Sequence, residues 1–460
     1  MQKVHFIAIG SATMHNLAIA ISKKDNIKVT GSDIEITEPT LIRLKEFMLL
    51  PEKLGWFPDK VEKGLNAVVL GETVSKNNPE LIRAKELNLK IYSSPEYMLL
   101  QTRSKTRIVV SGSHGKETTA AIILFVLKKN KIDTDYLISS KLKGFENRAK
   151  FTYDARIALF EGNEYPTSPV NQTPNFHLFK PHIAIITGIE WESNNIYFGY
   201  ENYIEQFKKF TDLMEMQGRL IYFEGDENLK LITKKLRRDL VSFPYDIPDY
   251  EIINGITYLK TKKGKIKIKI FGENNLKYIE AARLACRQIG IYDDQFYKVV
   301  SEFPGIPNNL QKIYETEDAV ALIDSAQLPS KIKASIQAVK SQFLKEKTIV
   351  CIELQNSGNF TEDFLPHYTD CLTEAGIAFI YFNPENIFPD LNKNLSIEII
   401  RSAFGKRNNI EIFTDINSLQ IKLKTINFNE STLLFMSTGN FSGVNLSEFA
   451  QDLLKKQGTN

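Results

Sequence analysis

The segment Gly112–Thr119 constrains this chain more than any other, because it places a glycine-rich turn between a strand and a helix. Its sequence, Gly-Ser-His-Gly-Lys-Glu-Thr-Thr, follows the predicted strand Arg107–Ser111 and precedes the predicted helix Ala120–Lys129. Backbone N–H groups in such a turn can surround a phosphate, and the helix N-terminus adds a favourable dipole. Lys116 is placed to reach the outer phosphates, although the spacing is shorter than the usual eight-residue pattern. The segment predicts a phosphate-binding loop, and a purely structural strand–turn–helix is the alternative.

The rest of the chain alternates strands and helices, which is typical of α/β layers with mostly parallel sheets. At about 150 residues per domain, a chain of 460 residues is expected to form about three domains. A polar stretch at 101–105 precedes the strand at Arg107, and Pro304-Gly305-Ile306-Pro307 interrupts the chain later. We therefore predict domains at residues 1–104, 105–303 and 304–460.

Charge and cysteine usage exclude several classes of protein. With 58 Lys+Arg against 55 Asp+Glu, the net charge of +3 is too balanced for a protein that coats nucleic acid. Three widely spaced cysteines predict neither a disulfide framework nor a paired metal-ligand motif, which favours a reducing compartment. The moderately apolar segment Val4–Ile21 is interrupted by His15 and Asn16 and predicts a strand, turn and helix, not a signal peptide. We expect a soluble, cytoplasmic protein that does not act on membranes.

A weaker nucleotide signal lies in the first predicted domain. Gly10 ends the first predicted strand, and Asp33 ends the second 23 residues later, near the position of the ribose-binding acid in dinucleotide folds. The full G-x-G-x-x-G fingerprint is missing, so a packed turn is the alternative at this point.

The chain resembles the Mur ligases, which use ATP to join amino acids or peptides to UDP-N-acetylmuramic acid. The loop at Gly112 fits their G-T-x-G-K-T-T pattern in outline, and matching segments follow in family order from end to end. Within the family the pattern is most similar to the muropeptide-recycling ligases, which reattach a recovered murein tripeptide to UDP-N-acetylmuramate. The other segments that carry the resemblance are Ile9-Gly10, Thr30-Gly31-Ser32-Asp33, Asn78-Pro79-Glu80, Glu161-Gly162-Asn163-Glu164-Tyr165, Phe303-Pro304-Gly305, Pro329-Ser330-Lys331 and Met436-Ser437-Thr438-Gly439-Asn440-Phe441-Ser442-Gly443.

The resemblance implies a three-domain α/β ligase: a Rossmann-like UDP-binding domain, a P-loop ATPase-like central domain and a Rossmann-like C-terminal domain. In the family's chemistry the muramyl carboxylate attacks the γ-phosphate of ATP, and the amine then displaces phosphate from the acyl phosphate. ATP and Mg²⁺ are the implied cofactors, and a UDP-sugar and a peptide or amino acid the implied substrates; no protein partner is implied. The residues so implied are Lys116, Glu161 and Asp324 for catalysis; Gly112, Ser113, His114, Gly115, Lys116, Thr118 and Asn275 for ATP; Gly10, Ser32 and Asp33 for the UDP-sugar; and Glu117, Glu161 and Glu192 for the metal.

Six motifs depart from the family pattern, and each lies where the resemblance places the chemistry. Glu117 replaces the Thr or Ser whose hydroxyl binds Mg²⁺, and a carboxylate there repels phosphate unless a cation lies between them. The adenine-side motif reads Asn274-Asn275-Leu276-Lys277-Tyr278, without its His and its second Asn. The remaining changes are Asn163 for an Asp, Ser193 for a metal-binding His, Asn309 for a cation beside the transferred phosphate, and Gln327 for a His.

These departures leave two functions open. In the first, the chain is an active ligase in which Glu117 and Glu192 form an altered metal site. In the second, it is a catalytically degenerate paralogue that binds a UDP-sugar as a sensor or as a partner of another protein. Ligation of the folylpolyglutamate type is a third hypothesis, and the UDP-site features around Gly10 and Asp33 count against it.

Overall fold

Parallel sheets covered by helices form most of this computed structural model, which describes residues 1–168, 171–191, 199–355, 364–384, 397–405 and 409–455. Contacts between Cα atoms divide the described chain into two compact units. The first holds residues 1–191, 199–246 and 277–300, and the second holds residues 247–276 and 301–455. In the described ranges, no helix combines the length and the apolar character that crossing a bilayer requires.

The first sheet of unit one has four parallel strands in the order β2-β1-β3-β4. Ala8 has a φ of +63°, and this left-handed residue ends β1 two residues before the predicted end of that strand. The strands are β1 Gln2–Ile7, β2 Ile27–Ser32, β3 Ala67–Leu70 and β4 Ile91–Ser93, and the helices are α1 Ala12–Ser22, α2 Thr40–Glu46, α3 Pro79–Glu86 and α4 Ser94–Gln101.

Side-chain caps explain where the helices of this region begin. Asn78 accepts hydrogen bonds from the backbone N–H groups of Glu80 and Leu81, so α3 starts at the proline that follows it. Ser93 and Glu96 form a reciprocal capping box at the start of α4. Both helices therefore begin at the residue that follows their cap.

The second sheet of unit one has seven strands in the order β11-β10-β9-β5-β8-β6-β7, parallel except at β7. Its inner strands are buried on both faces, as expected for strands that read as continuous apolar runs. The strands are β5 Thr106–Ser111, β6 Thr134–Leu137, β7 Ala149–Lys150, β8 Ile157–Glu161, β9 Ile183–Ile186, β10 Arg219–Phe223 and β11 Val241–Tyr245, and the helices are α5 Lys116–Lys129, α6 Tyr200–Asp212, α7 Glu227–Thr233, α8 Glu273–Gln288 and α9 Asp293–Val300. Helix α8 begins in the second unit and enters unit one at Lys277.

Arg107 joins the connection between the two sheets to the body of the second sheet. Its guanidinium is buried and donates to the carbonyl oxygens of Thr102 at 3.1 Å, Phe179 at 2.9 Å and Lys180 at 3.0 Å. It also forms an ion pair with Glu215. This planar cation therefore fixes the path of the chain into β5 by binding backbone atoms from two separate segments.

A buried ion pair lies beside the same connection. The ammonium of Lys105 pairs with the carboxylate of Asp135, and both side chains are less than 5% exposed. Lys105 also donates to the carbonyl oxygen of Thr152 at 2.7 Å, and Asp135 accepts from the N–H and the hydroxyl of Thr152. The two charges are thus fully hydrogen-bonded, as a buried pair requires.

The second unit contains an antiparallel three-stranded sheet and a six-stranded sheet in the order β15-β16-β20-β17-β18-β19. A two-residue turn before Gly264 joins β13 and β14 as a hairpin, and in the larger sheet β15 alone is antiparallel to its neighbour. The strands are β12 Tyr250–Ile253, β13 Ile256–Thr261, β14 Gly264–Lys267, β15 Gln311–Glu315, β16 Ala319–Asp324, β17 Lys347–Glu353, β18 Ile377–Tyr381, β19 Ile410–Phe413 and β20 Ser431–Met436, and the helices are α10 Pro329–Gln342, α11 Ile397–Ala403, α12 Ile416–Lys424 and α13 Leu446–Lys455.

Candidate functional site

The predicted phosphate loop leaves β5 and enters α5 through two glycines with left-handed backbone. Gly112 has φ +122°, and Gly115, the N-cap of α5, has φ +80°. A Cβ added at Gly112 would lie 2.8 Å from the backbone nitrogen of Thr187, so only glycine fits there without movement. The helix begins at Lys116, four residues before the predicted start. The predicted strand–loop–helix is thus confirmed, with a longer helix.

The ring of Tyr278, on α8, packs directly against Gly115. A Cβ added at Gly115 would lie 2.7 Å from Cδ1 of that ring, and closer still to its Cε1 and Cζ atoms. Tyr278 is buried, and burial together with the charge of Glu190 raises the pKa of its phenol. A family asparagine is replaced at this position, and the sequence alone gave no sign that the new ring contacts the loop.

Lys116 does not extend into solvent but turns back over its own loop. Its Nζ donates to the carbonyl oxygen of Gly112 at 2.6 Å and to Oε2 of Glu164 at 3.0 Å. The side chains of Lys116 and Glu164 are 13% and 7% exposed. Tyr203, on α6, donates its hydroxyl to the other oxygen of Glu164 at 3.4 Å. Sequence reasoning placed Lys116 at the loop but did not predict Glu164 or Tyr203 as its neighbours.

Ser113 and His114 contact the segment that follows β9, and Ser113 also contacts a side chain of α6. The N–H of Ser113 donates to the carbonyl oxygen of Gly188 at 2.9 Å, and its hydroxyl lies 2.9 Å from that of Tyr203. His114 Nε2 lies 3.1 Å from a carboxylate oxygen of Glu190. Thr118, on α5, is buried. Binding of ATP by Ser113, His114 and Thr118 stays a prediction.

Glu117 and Glu161 form a pair of carboxylates beside the loop. Glu161, at the end of β8, accepts from the N–H of Ser139 at 3.1 Å and from its hydroxyl, while Glu117 accepts from the hydroxyl of Ser140 at 2.9 Å. Burial and, as a second cause, the negative charge of Glu117 raise the pKa of Glu161 to about 7. Glu192, the third predicted metal ligand, lies outside the described residues, as does Ser193.

The carboxylate pair fits the way in which Mg²⁺ is usually held. That ion commonly takes one or two carboxylates and completes its shell with phosphate oxygens and water. Burial is the main cause of the raised pKa of Glu161, and repulsion by Glu117 adds to it; a cation between the two carboxylates would relieve that repulsion. Within the described part of the chain, no group of three or more His, Cys, Asp or Glu side chains could hold a metal ion. Two carboxylates are too few to hold a structural metal by themselves. Glu117 and Glu161 therefore fit a cation that is also bound by the phosphates of a nucleotide.

The three residues predicted for the UDP-sugar lie at the end of β2 and in the turns that follow β1 and β2. The N–H of Gly10 donates to Oδ2 of Asp33 at 2.8 Å, so the acid holds the turn after β1. Ser32 is buried, and its hydroxyl donates to the buried carboxylate of Glu80. Although burial raises the pKa of Glu80, hydrogen bonds from His5, Ser32 and a backbone N–H bring it below its usual value. Contact of Gly10, Ser32 and Asp33 with a UDP-sugar stays a prediction.

Asp324 and Asn275 belong to the second unit. Asp324, at the end of β16, is buried and accepts from the hydroxyl of Ser335 and from the N–H of Leu310 at 3.1 Å. Burial raises its pKa, although these hydrogen bonds oppose the shift. Asn275 donates its side-chain amide to the carbonyl oxygen of Phe271, four residues earlier, at 2.9 Å. Their assigned roles in catalysis and ATP binding stay predictions.

Among the substituted positions, Gln327 is the best defined in this unit. Its amide nitrogen donates to the carbonyl oxygen of Gln355 at 3.0 Å, and its amide oxygen accepts from the hydroxyl of Thr438 at 2.8 Å. Tyr368 donates to its backbone carbonyl at 3.1 Å. The glutamine that replaces the family histidine is thus tied to the connections that follow β17 and β20.

Comparison with known proteins gives one family and one fold. Residues 3–105 match the family described as "Mur ligase family, catalytic domain". The UDP-N-acetylmuramate–L-alanine ligase of Carboxydothermus hydrogenoformans is 24% identical over 441 residues, which cover 92% of each chain.

Solved structures extend the likeness to the whole chain. The UDP-N-acetylmuramate–alanine ligase of Thermotoga maritima superposes with a TM-score of 0.70 at 19% identity, covering 100% of both chains. A murein peptide ligase of Psychrobacter arcticus gives 0.64 at 18% identity, covering 100% of this chain and 99% of that one. A MurF ligase of Thermotoga maritima, solved with ADP, gives 0.59 at 15% identity, covering 86% and 89%. The chain therefore contains a Mur ligase family domain and has the α/β fold of the Mur ligases.

Proposed function

We propose that this chain is an ATP-dependent ligase of the Mur type, which joins an amino acid or a peptide to UDP-N-acetylmuramate. One observation carries the proposal: β5, two left-handed glycines and α5 form a strand–loop–helix with Lys116 at the start of the helix and the Glu117–Glu161 pair beside it. The choice of substrates is supported by the names of two similar proteins, a UDP-N-acetylmuramate–L-alanine ligase and a murein peptide ligase.

In this proposal the residues act mainly by position and charge. Lys116 and the N-terminal N–H groups of α5 bind the outer phosphates of the nucleotide. Glu117 and Glu161 would hold Mg²⁺, and the bound ion would supply charge neutralisation at the transferred phosphate. The carboxylate of the muramyl group displaces ADP from the γ-phosphate to give an acyl phosphate. The amine of the amino acid or peptide then displaces inorganic phosphate and forms the amide, losing one proton.

A phosphate-release assay tests the proposal. Purified chain is given Mg²⁺-ATP and UDP-N-acetylmuramate with either L-alanine or the murein tripeptide, and inorganic phosphate is measured. Release that needs all three components and is lost in Lys116→Ala supports it. Lys129→Ala, which removes the same charge from the exposed last turn of α5, is the matched control and should keep full activity. If neither L-alanine nor the murein tripeptide supports phosphate release, the proposal is refuted.

The second candidate is a degenerate paralogue that binds a UDP-sugar without ligating it. The observation that favours it is the pairing of Lys116 with Glu164, which neutralises the cation that the chemistry needs. Calorimetric titrations with UDP-N-acetylmuramate and with Mg²⁺-ATP separate the two candidates. Saturable binding of the sugar without binding of ATP supports the paralogue, and binding of both supports the ligase.

A further inference from the structure

Glu164 is held against the phosphate loop by the fold around it. It lies three residues beyond the end of β8, is 6% exposed, and has its Oε2 3.0 Å from Nζ of Lys116. Its Oε1 accepts from Tyr203 at 3.4 Å, and the hydroxyl of Tyr203 is in turn 2.9 Å from that of Ser113. A buried tyrosine of α6 therefore links the carboxylate and the loop.

This carboxylate has the same sign of charge as the phosphates that the loop is proposed to bind. Its attraction to Lys116 acts over 3.0 Å between two side chains that are mostly removed from water, where charges interact more strongly than in bulk solvent. A phosphate that approaches Lys116 must either take the ammonium from Glu164 or bind beside a second anion. Both routes lower the affinity of the loop for phosphate.

We propose that Glu164 is an internal competitor for Lys116 and thereby sets the affinity of the loop for nucleotide phosphates. The inference rests on the proposed function, because it assumes that the loop binds a nucleotide. Tyr203 acts as a positioning residue that keeps the carboxylate in place. Nucleotide binding is then coupled to displacement of Glu164 from the ammonium.

The test is calorimetric titration of the full chain with ADP, with and without Mg²⁺, for the wild type and Glu164→Gln. Glutamine keeps the size of the side chain and an oxygen that can accept from Tyr203, but it removes the charge. We expect Glu164→Gln to bind ADP at least tenfold more tightly, which corresponds to about 1.4 kcal/mol. Tyr203→Phe should raise the affinity by a smaller factor, because the carboxylate loses one of its hydrogen bonds.

Glu190→Gln is the matched control. Glu190 also has its carboxylate on the loop, 3.1 Å from His114, and its substitution removes the same charge without touching the Lys116 ion pair. We expect a change of less than twofold in its affinity for ADP. If Glu190→Gln raised the affinity for ADP as much as Glu164→Gln does, the effect would be one of general charge, and the proposed competition for Lys116 would be overturned.

The remaining outcomes separate this inference from the proposed function. Equal affinity of the wild type and Glu164→Gln overturns the competition and leaves nucleotide binding intact. No binding of ADP by any of these proteins overturns both. If circular dichroism shows that Glu164→Gln does not fold, Tyr203→Phe carries the test, and unchanged or weaker ADP binding by that variant overturns the inference.

Discussion

Replacing Gly115 with alanine tests how closely Tyr278 packs against the phosphate loop. An alanine at φ +80° costs about 1–2 kcal/mol for the backbone alone. The new Cβ would also lie 2.7 Å or less from three ring carbons of Tyr278, whereas non-bonded carbons prefer about 3.5–4.0 Å. The buried ring must therefore move by about 1 Å, and overpacking of this kind costs about 1–3 kcal/mol. The expected loss in free energy of unfolding is about 2–5 kcal/mol.

Gly290→Ala separates the two contributions. Gly290 has φ +89° and belongs to the same unit, but an added Cβ there meets no atom within 4 Å. Its substitution should cost about 1–2 kcal/mol, the backbone contribution alone. In a Tyr278→Ala background the ring is absent, so the cost of Gly115→Ala should fall to the same value.

Urea unfolding followed by tryptophan fluorescence measures these costs. Trp56 and Trp191, the two tryptophans of the chain, both belong to the unit that contains Gly115 and Gly290, so their fluorescence reports on that unit. If Gly115→Ala and Gly290→Ala lower the free energy of unfolding equally, within about 0.5 kcal/mol, the ring does not crowd the loop and the reasoning is refuted.

Three further predictions concern buried charges, each measured by urea unfolding. Lys105→Met leaves Asp135 buried without its partner and should cost about 3–5 kcal/mol, whereas Lys3→Met, which breaks an exposed ion pair, should cost at most about 1 kcal/mol; similar losses would contradict this. Because folded Glu161 keeps its proton to a pH of about 7 and the unfolded group releases it near 4.5, its contribution is complete below pH 4.5 and is lost as the pH rises to 7. The stability of the wild type relative to Glu161→Gln should then fall by about 1–3 kcal/mol between pH 5 and 7.5 in EDTA, and a constant difference would disprove the shift. Glu80→Gln turns an amide N–H₂ towards hydrogen-bond donors and should cost about 1–3 kcal/mol, so an unchanged urea midpoint would count against that network.

The sequence predicted most strands and helices because local patterns specify them. The parallel strands are apolar runs bounded by polar residues, and the predicted strand Arg107–Ser111 agrees with β5 to within one residue. The start of α5 was placed at Ala120 because its first turn, from Lys116, is polar and carries no apolar periodicity. Only the left-handed backbone of Gly115 marks the true beginning of that helix.

The contacts that define the candidate site were beyond sequence reasoning because they join distant parts of the chain. Lys116 and Glu164 are separated by 48 residues and meet because β5 and β8 are neighbours in the sheet. Tyr278 lies still farther along the chain, and no periodicity indicates that its ring reaches Gly115. Residue types thus predicted the chemistry of the loop, whereas the strand order determined which charges surround it.

Arg107 binds the connection between the first two sheets through backbone carbonyl oxygens, apart from its ion pair with Glu215. Every residue type supplies such an oxygen, so these hydrogen bonds leave the accepting residues free to change as long as the path of the chain is kept. Arg107 itself has no such freedom, because lysine lacks the planar set of donors that reaches several carbonyls at once. The joint between the sheets therefore depends on Arg107, which lies outside the connection, and on the buried ion pair of Lys105 with Asp135. A chimaera that exchanges residues 1–104 for those of a relative should keep this joint if it retains Arg107.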